Sequence, residues 1–559
     1  MSLLAELGGN GAAQTIPFPT SNSPVYLENY GGMGLGYKVA AQTCIGLFSR
    51  DDVSVEGFEG GVWTNKDLYD DMWLAIIEGM APAKNKKGGE ELLDACLGSF
   101  NSYISFDMER DKELLPEIVT LAAVTDSIPI DTSDPDLAEL VDFSTLSKAY
   151  EIGVDWADFT PLEATEFLFE NYANATTGLA KLNPGYENKN NLPNLHPRIT
   201  NEMDASLVDY IVKMKLFTFF LVDGCIPGTK EYRLMSKMAK SDIWPKPLAV
   251  WGYDNSQNLG GSLFEAETNC NREHNMGQIA SAGSNNLGFL SSKPAITEPI
   301  DLPPPPQVTY DKEKTFVSLV VGDGDNLSIV KGRNLPWALA RLAQCRNKEC
   351  PPFTWTMSPH LLYSAPDMMQ FFIDLAQTTK SDTFMLPPSG DLYSYPGMMD
   401  DENRKKYVEL MEEDFKLLSC RTSVHWEWFY GWKKALSDYF PMFTSVEGAR
   451  GFFLTNVPYP IPMPFIFGRQ EYKIIGENVV LFKPREWRGI DGSSHQALSV
   501  ENMAKNINNL EKGTVTHVYL TSDGDNSIDS FYILADQLDD HVVLVNSDNL
   551  VDLALQRGH

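Results

Sequence analysis

The 559-residue sequence has no long apolar run and no leader-like start. Its longest largely apolar stretch, Leu216 to Val222, is far shorter than the ~20 residues of a membrane helix, so we expect no membrane span. The first residues, MSLLAELGGNGAAQ, lack the basic flank and apolar core of a signal peptide. An extracellular or secretory location is therefore expected only if a leader has been removed, and a soluble intracellular protein otherwise.

Positive charge and cysteine are also scarce. The chain has 45 basic against 76 acidic residues, a net charge of −31, which would repel a phosphate backbone. We therefore expect no nucleic-acid partner. Among the seven cysteines, Cys345 and Cys350 form the one close pair and predict a small disulfide-closed loop. No second Cys or His pair with ligand spacing lies nearby, which argues against zinc.

Proline marks the expected division of the chain. Pro303 to Pro306 form an unbroken run, which favours an extended linker because proline fixes φ and restricts the residue before it. We predict an irregular N-terminal arm (1–30), a front part of one or two small α/β domains (31–295), a linker (296–312) and a back part (313–559). The two parts are predicted to be separable by proteolysis at the prolines.

The back part reads as strand followed by helix, repeatedly. The predicted strands are 316–321, 353–357, 383–387, 422–428, 450–456, 478–482, 516–521 and 541–545. The predicted helices between them include 367–379, 402–418, 500–510 and 528–538. About eight such steps in ~250 residues match a closed (β/α)8 barrel, although an open doubly wound sheet reads similarly. We predict an α/β protein with a C-terminal (β/α)8-like barrel.

Two predicted strands end in the same tetrad, Asp-Gly-Asp-Asn. The first copy is Asp323 to Asn326 and the second is Asp523 to Asn526. The first follows Val317 to Val321, a run too continuously apolar to alternate with solvent, as in a parallel strand covered on both faces. Functional sites assemble at the carboxyl ends of parallel strands, so the tetrads are candidate catalytic or binding residues. The alternative is a turn whose Asn or Asp caps the next helix.

Carboxylates and aromatic residues dominate the predicted strand ends. Such a mixture suits carbohydrate, because flat rings stack on sugar faces while polar side chains bind hydroxyls. The predicted catalytic residues are Asp323, Asp325, Glu427, Asp523 and Asp525. The predicted substrate-binding residues are Asn326, His360, Asp391, Tyr393, Tyr395, Trp428, Asn456 and Asn526. Structural packing is the alternative for the tryptophans and helix capping for His360, and Glu486 and Trp487 are taken as loop residues.

Glycosidic cleavage needs one protonated and one ionised carboxyl group. Glu427, between Trp426 and Trp428, is the predicted acid, because burial among apolar rings penalises the charged form. Asp323 or Asp523, beside glycine and asparagine, is its predicted ionised partner.

The segment Gly390-Asp-Leu-Tyr-Ser-Tyr-Pro396 resembles the signature of the glycoside hydrolase family named for its GxGYxYP motif, with Leu392 in place of the second glycine. The segments VVGDGDN and AAQTCIGLFSR are also similar to segments of that family. The resemblance would cover most of the chain. It implies small N-terminal α/β domains, a barrel-like C-terminal domain that carries the signature, and a carbohydrate-active enzyme.

Three classes of function stay open. The first is a glycosidase. The second is a metal-dependent carbohydrate hydrolase or deacetylase, in which Asp323, Asp325, Asp523 and Asp525 would hold Ca²⁺ or Mg²⁺ through oxygen atoms. The third is a carbohydrate-binding protein without turnover. An EF-hand is excluded by Leu327 and the missing glycine, and the absence of GxSxG argues against a serine hydrolase of that design.

Overall fold

A computed structural model gives the fold of the chain, and it describes most of its residues. The described residues are 24–27, 32–78, 86–185, 203–253, 263–304, 306–345, 349–456, 461–487, 498–521 and 527–558. Asp523, Asp525 and Asn526, three of the predicted site residues, lie outside this part of the chain. No described helix is long and apolar enough to cross a membrane.

The described residues of the front part form three small parallel sheets. Its strands are β1 (Val25–Leu27), β2 (Val62–Thr64), β3 (Lys86–Lys87), β4 (Ser102–Phe106), β5 (Ile128–Asp131), β6 (Ser147–Glu151), β7 (Gly178–Leu182), β8 (Leu216–Phe219), β9 (Leu248–Tyr253) and β10 (Met276–Ile279). The sheet orders are β2-β1-β3, β5-β4-β6 and β10-β9-β7-β8. This agrees with the expected α/β composition of the front part.

Helices connect these strands. Those of the front part are Leu35–Phe48, Leu68–Glu78, Gly89–Phe100, Met108–Asp111, Leu115–Thr125, Pro135–Leu140, Ile152–Asp155, Pro161–Tyr172, Val208–Met214, Lys230–Lys240, Leu263–Arg272 and Leu287–Leu290. One sequence expectation was wrong here. The end of the predicted irregular arm, Val25–Leu27, is the central strand of the first sheet.

All eight strands predicted for the back part are present. They are β11 (Thr315–Val321), β12 (Phe353–Thr356), β13 (Thr383–Met385), β14 (Thr422–His425), β15 (Arg450–Leu454), β17 (Val479–Phe482), β19 (Val515–Leu520) and β20 (Val542–Val545); β16 (Tyr472–Ile475) and the two-residue β18 (Glu486–Trp487) are additional. The helices are Leu327–Ile329, Leu335–Cys345, Leu361–Ser364, Pro366–Thr379, Asp401–Leu417, Trp432–Lys434, Met463–Ile466, Val500–Asn508, Ile528–Asp536 and Ser547–Gly558. The apolar runs therefore located the strands correctly.

The strands of the back part do not form the closed barrel that we predicted. One sheet has the order β13-β12-β11-β19-β18, and a second has the order β14-β15-β17-β16. A single parallel bridge, Leu386 to Ser423, links β13 with β14. Strand β20 does not separate β19 from β11, because β19 pairs with β11 along residues 316–321 and β20 pairs with residues 315–318. No closed sheet is present among the described residues.

The last helix also departs from a (β/α)8 arrangement. Side chains of the strands alternate between two hydrophobic clusters, so that Val317 and Leu319 belong to one and Phe316 and Val320 to the other. Leu550 and Val551 of the helix Ser547–Gly558 lie in the second cluster, against the same face of the strands as Phe316. This helix therefore packs on the face opposite to the large core.

The linker and both parts of the chain are in contact. The amide of Ile296 donates to the carbonyl of Leu362 at 2.8 Å, and the amide of Ile300 donates to that of Leu417 at 2.9 Å. One hydrophobic cluster continues from the front part into the back part, where the rings of Trp73 and Phe371 meet edge to face at 5.3 Å. Separability of the two parts stays a prediction, and a cut would have to break these contacts.

The close cysteine pair forms the predicted bond. Cys345 and Cys350 are linked, and two further disulfides join Cys44 to Cys96 and Cys225 to Cys270 in the front part. The remaining cysteine, Cys420, is buried.

Candidate active site

A small cavity lies where the strands of the back part end. Its volume is about 70 Å³. The lining residues are Asp323, Asp325, Pro388, Tyr393, Trp426, Thr455, Glu486, Tyr519 and Thr521. They come from six strands and the loops that follow them, so the fold brings two of the predicted carboxylates together with aromatic rings. We call this the strand-end cavity.

The loop that carries Asp323 and Asp325 is held tightly against the neighbouring strands. A Cβ atom at Gly324 would lie 1.7 Å from the carbonyl oxygen of Thr356, so the backbone can approach strand β12 only with glycine there. The Gly324 amide donates to the Thr356 hydroxyl at 2.9 Å. Asp323 has φ +61°, a conformation that aspartate adopts more readily than most residues. The loop is therefore fixed by backbone contacts.

Asn326, a predicted substrate-binding residue, caps the helix Leu327–Ile329. Its side-chain oxygen accepts hydrogen bonds from the Ser328 amide at 3.0 Å and the Ser328 hydroxyl at 2.8 Å. Asn326 thus has the helix-capping role that was the alternative for the tetrad. The two aspartates before it line the cavity.

The electrostatics of the cavity favour a protonated Asp325. Burial, and then the nearby charge of Asp323, raise the pKa of Asp325 to about 8. Tyr519 lies beside both carboxyl groups, and its hydroxyl accepts a hydrogen bond from the Asp323 amide at 3.1 Å. Burial and these two carboxylates raise the pKa of Tyr519 well above its usual range, so it stays neutral. Asp325 can therefore carry a proton at neutral pH.

Glu427, the predicted acid, is not among the residues that line the cavity. Its carboxylate accepts hydrogen bonds from the amides of Gly397 at 2.6 Å and Trp428 at 2.9 Å. Burial raises the pKa of Glu427 to about 8, as expected, but its carboxyl group binds these two backbone amides and not the cavity. The reason is alternation along the strand end: Trp426 lines the cavity, so Glu427 turns to the other side.

Glu486, which we had taken as a loop residue, lines the cavity instead. It lies in β18, which pairs with β19 so that Glu486 is opposite Tyr519. Its carboxylate accepts a hydrogen bond from the Asn456 amide. Counting in steps of two from Val480 and Phe482, which share the second cluster, would have placed Glu486 on the same side. Asn456 thus reaches the site through its backbone, while its side chain accepts a hydrogen bond from the Ile461 amide at 3.3 Å.

The signature loop, residues 390–396, supplies one wall of the cavity. Tyr393 lines the cavity and pairs as an antiparallel bridge with Gln278 of β10, so the front part supports this wall directly. Trp426 packs against Tyr393 and donates from its indole nitrogen to the Ser394 carbonyl at 3.0 Å. Tyr395 is only 1% exposed and packs between Trp426 and Trp428, so it belongs to the core of the loop.

Three other predicted binding residues, one of them in the loop itself, do not line the cavity. His360 is buried, with Nε2 at 2.8 Å from the Asp391 carbonyl oxygen and Nδ1 next to the Tyr363 hydroxyl. Asp391 is also buried, and burial raises its pKa. The indole of Trp428 lies under the guanidinium group of Arg272 from the front part, at 4.5 Å. These residues hold the loop and the two parts of the chain together.

Leu392, which replaces the second glycine of the signature, is accommodated by a glycine in the front part. It is 1% exposed and does not have a positive φ. A Cβ atom at Gly277 of β10 would lie 2.6 Å from the Cβ of Leu392. The larger residue in the loop thus fits because the facing strand has no side chain at that point.

We expect Gly277→Ala to lower the free energy of unfolding by about 1–3 kcal/mol, because it overpacks this contact. Combining it with Leu392→Gly should remove the clash, so that the two changes together cost less than the sum of the single changes. Chemical denaturation of the four proteins of this cycle measures the coupling. Strict additivity would show that the contact does not constrain the loop.

The described residues contain no group of three or more His, Cys, Asp or Glu arranged to hold a metal ion. Asp323 and Asp325 supply oxygen atoms of the kind that Ca²⁺ and Mg²⁺ prefer. The other two predicted ligands, Asp523 and Asp525, lie outside the described residues.

The comparisons with known proteins agree with the fold and with the signature. Over 96% of this chain and 94% of its own, a crystal structure described as a putative hydrolase from Bacteroides thetaiotaomicron has a similar fold, with a TM-score of 0.67 and 17% identity. At that identity the likeness shows the fold alone. A structure described as a putative polysaccharide deacetylase from Mycobacterium smegmatis gives a TM-score of 0.28 at 10% identity over 45% of this chain, too low to support an argument. No curated protein matches the sequence.

The model of one protein family matches the back part. It is described as the GxGYxYP putative glycoside hydrolase C-terminal domain, and the match covers residues 313–555. That range contains the signature loop, Asp323, Asp325 and Glu486. Residues 313–555 therefore match the model of the GxGYxYP family, as the resemblance at Gly390 to Pro396 predicts.

Proposed function

We propose that the protein is a glycoside hydrolase and that the strand-end cavity is its active site. One observation carries the proposal: Asp323, Asp325 and Glu486 line the same cavity as Tyr393 and Trp426. Carboxyl groups in different environments supply the acid and the ionised partner of glycosidic cleavage, and aromatic rings stack on sugars. The family match supports the same class of reaction.

In this proposal Asp325 replaces Glu427 as the general acid. Its pKa of about 8 keeps it protonated at neutral pH, so it can deliver a proton to the oxygen of the leaving sugar. Asp323 or Glu486 is the ionised partner, either as a nucleophile or as the base that activates water. Tyr393 and Trp426 would contact the sugar ring. Asp523, Asp525 and Asn526 stay predicted site residues.

The test is an analysis of products from a panel of plant, fungal and bacterial polysaccharides. We expect the wild-type protein to release new reducing ends from at least one of them. Release of acetate without new reducing ends would instead indicate a deacetylase. Binding without any product would indicate a carbohydrate-binding protein without turnover.

A metal-dependent hydrolase is the second candidate, and the proximity of Asp323 and Asp325 favours it. Two like charges in a small cavity are costly unless a proton or a cation relieves them. Because a proton on Asp325 is sufficient, we expect EDTA to leave hydrolysis unchanged and calorimetry with Ca²⁺ or Mg²⁺ to show no binding that depends on Asp323. Loss of activity with EDTA and its recovery with Mg²⁺ or Ca²⁺ would favour the metal-dependent reaction.

A further inference from the structure

A buried ion pair joins the front part to the segment that follows Asp325. Lys331 is 5% exposed and lies in the π-helical turn Val330–Asn334. Its Nζ atom is 2.7 Å from Oδ1 of Asp70, which is fully buried in the front part. The same Nζ donates a hydrogen bond to the side-chain oxygen of Asn285, also in the front part. Lys331 thus holds two segments of the front part at once.

Two further hydrogen bonds fix the same segment. The indole nitrogen of Trp73 donates to the Lys331 carbonyl at 2.8 Å, and the Leu327 amide donates to the Ala280 carbonyl at 2.9 Å. Leu327 is two residues after Asp325. The front part therefore holds the chain on one side of the loop that carries Asp323 and Asp325, which we call the aspartate loop. Thr356 and Tyr519 hold the loop itself.

Stability alone does not account for a lysine at this position. Removing a lysine and an aspartate from water costs free energy that their attraction often fails to offset, and apolar residues of similar size are frequently as stable. What a buried ion pair adds is a defined geometry, because only one arrangement satisfies both charges. Here that geometry relates the front part to the loop of Asp323 and Asp325.

We propose that Lys331 is a positioning residue, through which the front part holds the aspartate loop in its catalytic geometry. This inference rests on the proposed function of the strand-end cavity. It gives the front part a role in the reaction, although none of the described residues that line the cavity comes from it. Lys331 acts through the backbone of residues 327–331, which hydrogen bonds to Trp73 and Ala280 attach to the front part.

Substitution of the lysine is a clean test, because Asp70 keeps other partners. Its carboxylate also accepts hydrogen bonds from the amides of Lys66 at 2.8 Å and Asp67 at 3.1 Å, and from the side chains of Asn285 at 3.0 Å and Asn286 at 3.2 Å. Lys331→Met therefore removes the positive charge beside Asp70 but leaves its carboxylate hydrogen-bonded. Lys331→Gln restores a donor without the charge, and it also serves if the methionine variant does not fold.

The matched control is Lys237→Met. Lys237 also forms an ion pair in the front part, with Glu170 at 3.0 Å, but both side chains are about half exposed. All variants are made in the full chain. Hydrogen exchange is measured on peptides that cover 322–328 and, for comparison, on strand β12. The kinetic substrate is the polysaccharide that the wild-type protein cleaves fastest in the panel above.

We expect exchange in residues 322–328 of Lys331→Met to be about tenfold faster, with strand β12 unchanged. Misplacement of the aspartates should lower kcat by up to about 10²-fold while KM changes little, because the aromatic wall is intact. Lys331→Gln should recover much of the slow exchange and much of kcat. Lys237→Met should match the wild type in both measurements. Unchanged exchange, or faster exchange with an unchanged kcat, would overturn the proposal. If the wild-type protein hydrolyses nothing, the proposed function fails, and the exchange data still decide whether Lys331 holds the loop.

Discussion

Replacing Asp325 with asparagine is expected to lower the rate of polysaccharide hydrolysis by about 10²- to 10⁴-fold, the usual contribution of a general acid. The loss should be much smaller on glycosides with an activated aryl leaving group, because these need no proton. Asparagine has nearly the same shape as aspartate, so Gly324 and the backbone contacts of the loop should be retained. The comparison of kcat/KM on the two kinds of substrate measures the effect.

The pH profile gives a second readout of the same variant. A pKa of about 8 means that Asp325 is protonated below that pH and loses its proton above it. Polysaccharide hydrolysis by the wild-type protein should therefore decline as the pH rises through about 8, and this limb should be absent in Asp325→Asn. Asp323, Glu486 and Tyr519 are the titratable groups that line the cavity with it among the described residues, and Tyr519 stays neutral throughout this range.

Glu117→Gln is the matched control. Glu117 is a fully buried carboxyl group in the front part, where burial raises its pKa to about 8 and the Thr165 hydroxyl donates to it at 2.7 Å. It does not line the strand-end cavity. We expect this variant to keep the rate and the alkaline limb of the wild-type protein. A full rate in Asp325→Asn on polysaccharide would remove the assignment of Asp325 as the acid.

The second large effect is expected on stability, from Asp382→Ala. Asp382 and Arg341 have no exposed side-chain surface, and they are joined by hydrogen bonds from Nε at 3.1 Å and from a terminal nitrogen of the guanidinium group. The indole of Trp355 also donates to Asp382 at 3.0 Å. Removal of the carboxylate leaves a buried cation, and we expect the free energy of unfolding to fall by about 3–5 kcal/mol.

Two controls separate this effect from the loss of an ordinary ion pair. Glu402→Ala removes the partner of Lys406 at 2.9 Å on an exposed helix face, where we expect a change below about 0.5 kcal/mol. Replacing Arg341 and Asp382 together by apolar residues should recover part of the loss, because no charge is then left unpaired. Urea denaturation measures all of these variants. A loss for Asp382→Ala as small as that for Glu402→Ala would contradict the expected cost of leaving Arg341 buried without its partner.

The sequence by itself determined where the strands of the back part lie and placed two carboxylates at the end of one of them. Val317 to Val321 is nearly continuously apolar, which favours a strand covered on both faces. The glycines and aspartates after it could not continue that strand, which located the aspartate loop at a strand end. The signature at Gly390 to Pro396 pointed to the family, and its replacement of glycine by leucine was visible before the structure.

Tertiary structure decided which carboxyl groups meet and how the sheet is arranged. A strand end turns alternate side chains to opposite sides, so Trp426 took the place in the cavity that we had predicted for Glu427. Glu486 entered the cavity because β18 pairs with β19, a contact between residues more than 30 positions apart. Strand β20 pairs with β11 on the edge it shares with β12, which no local pattern specifies. The link from Asp70 to Lys331 spans 261 positions, and such long-range pairings depend on the packing of the whole chain rather than on the propensity of any segment.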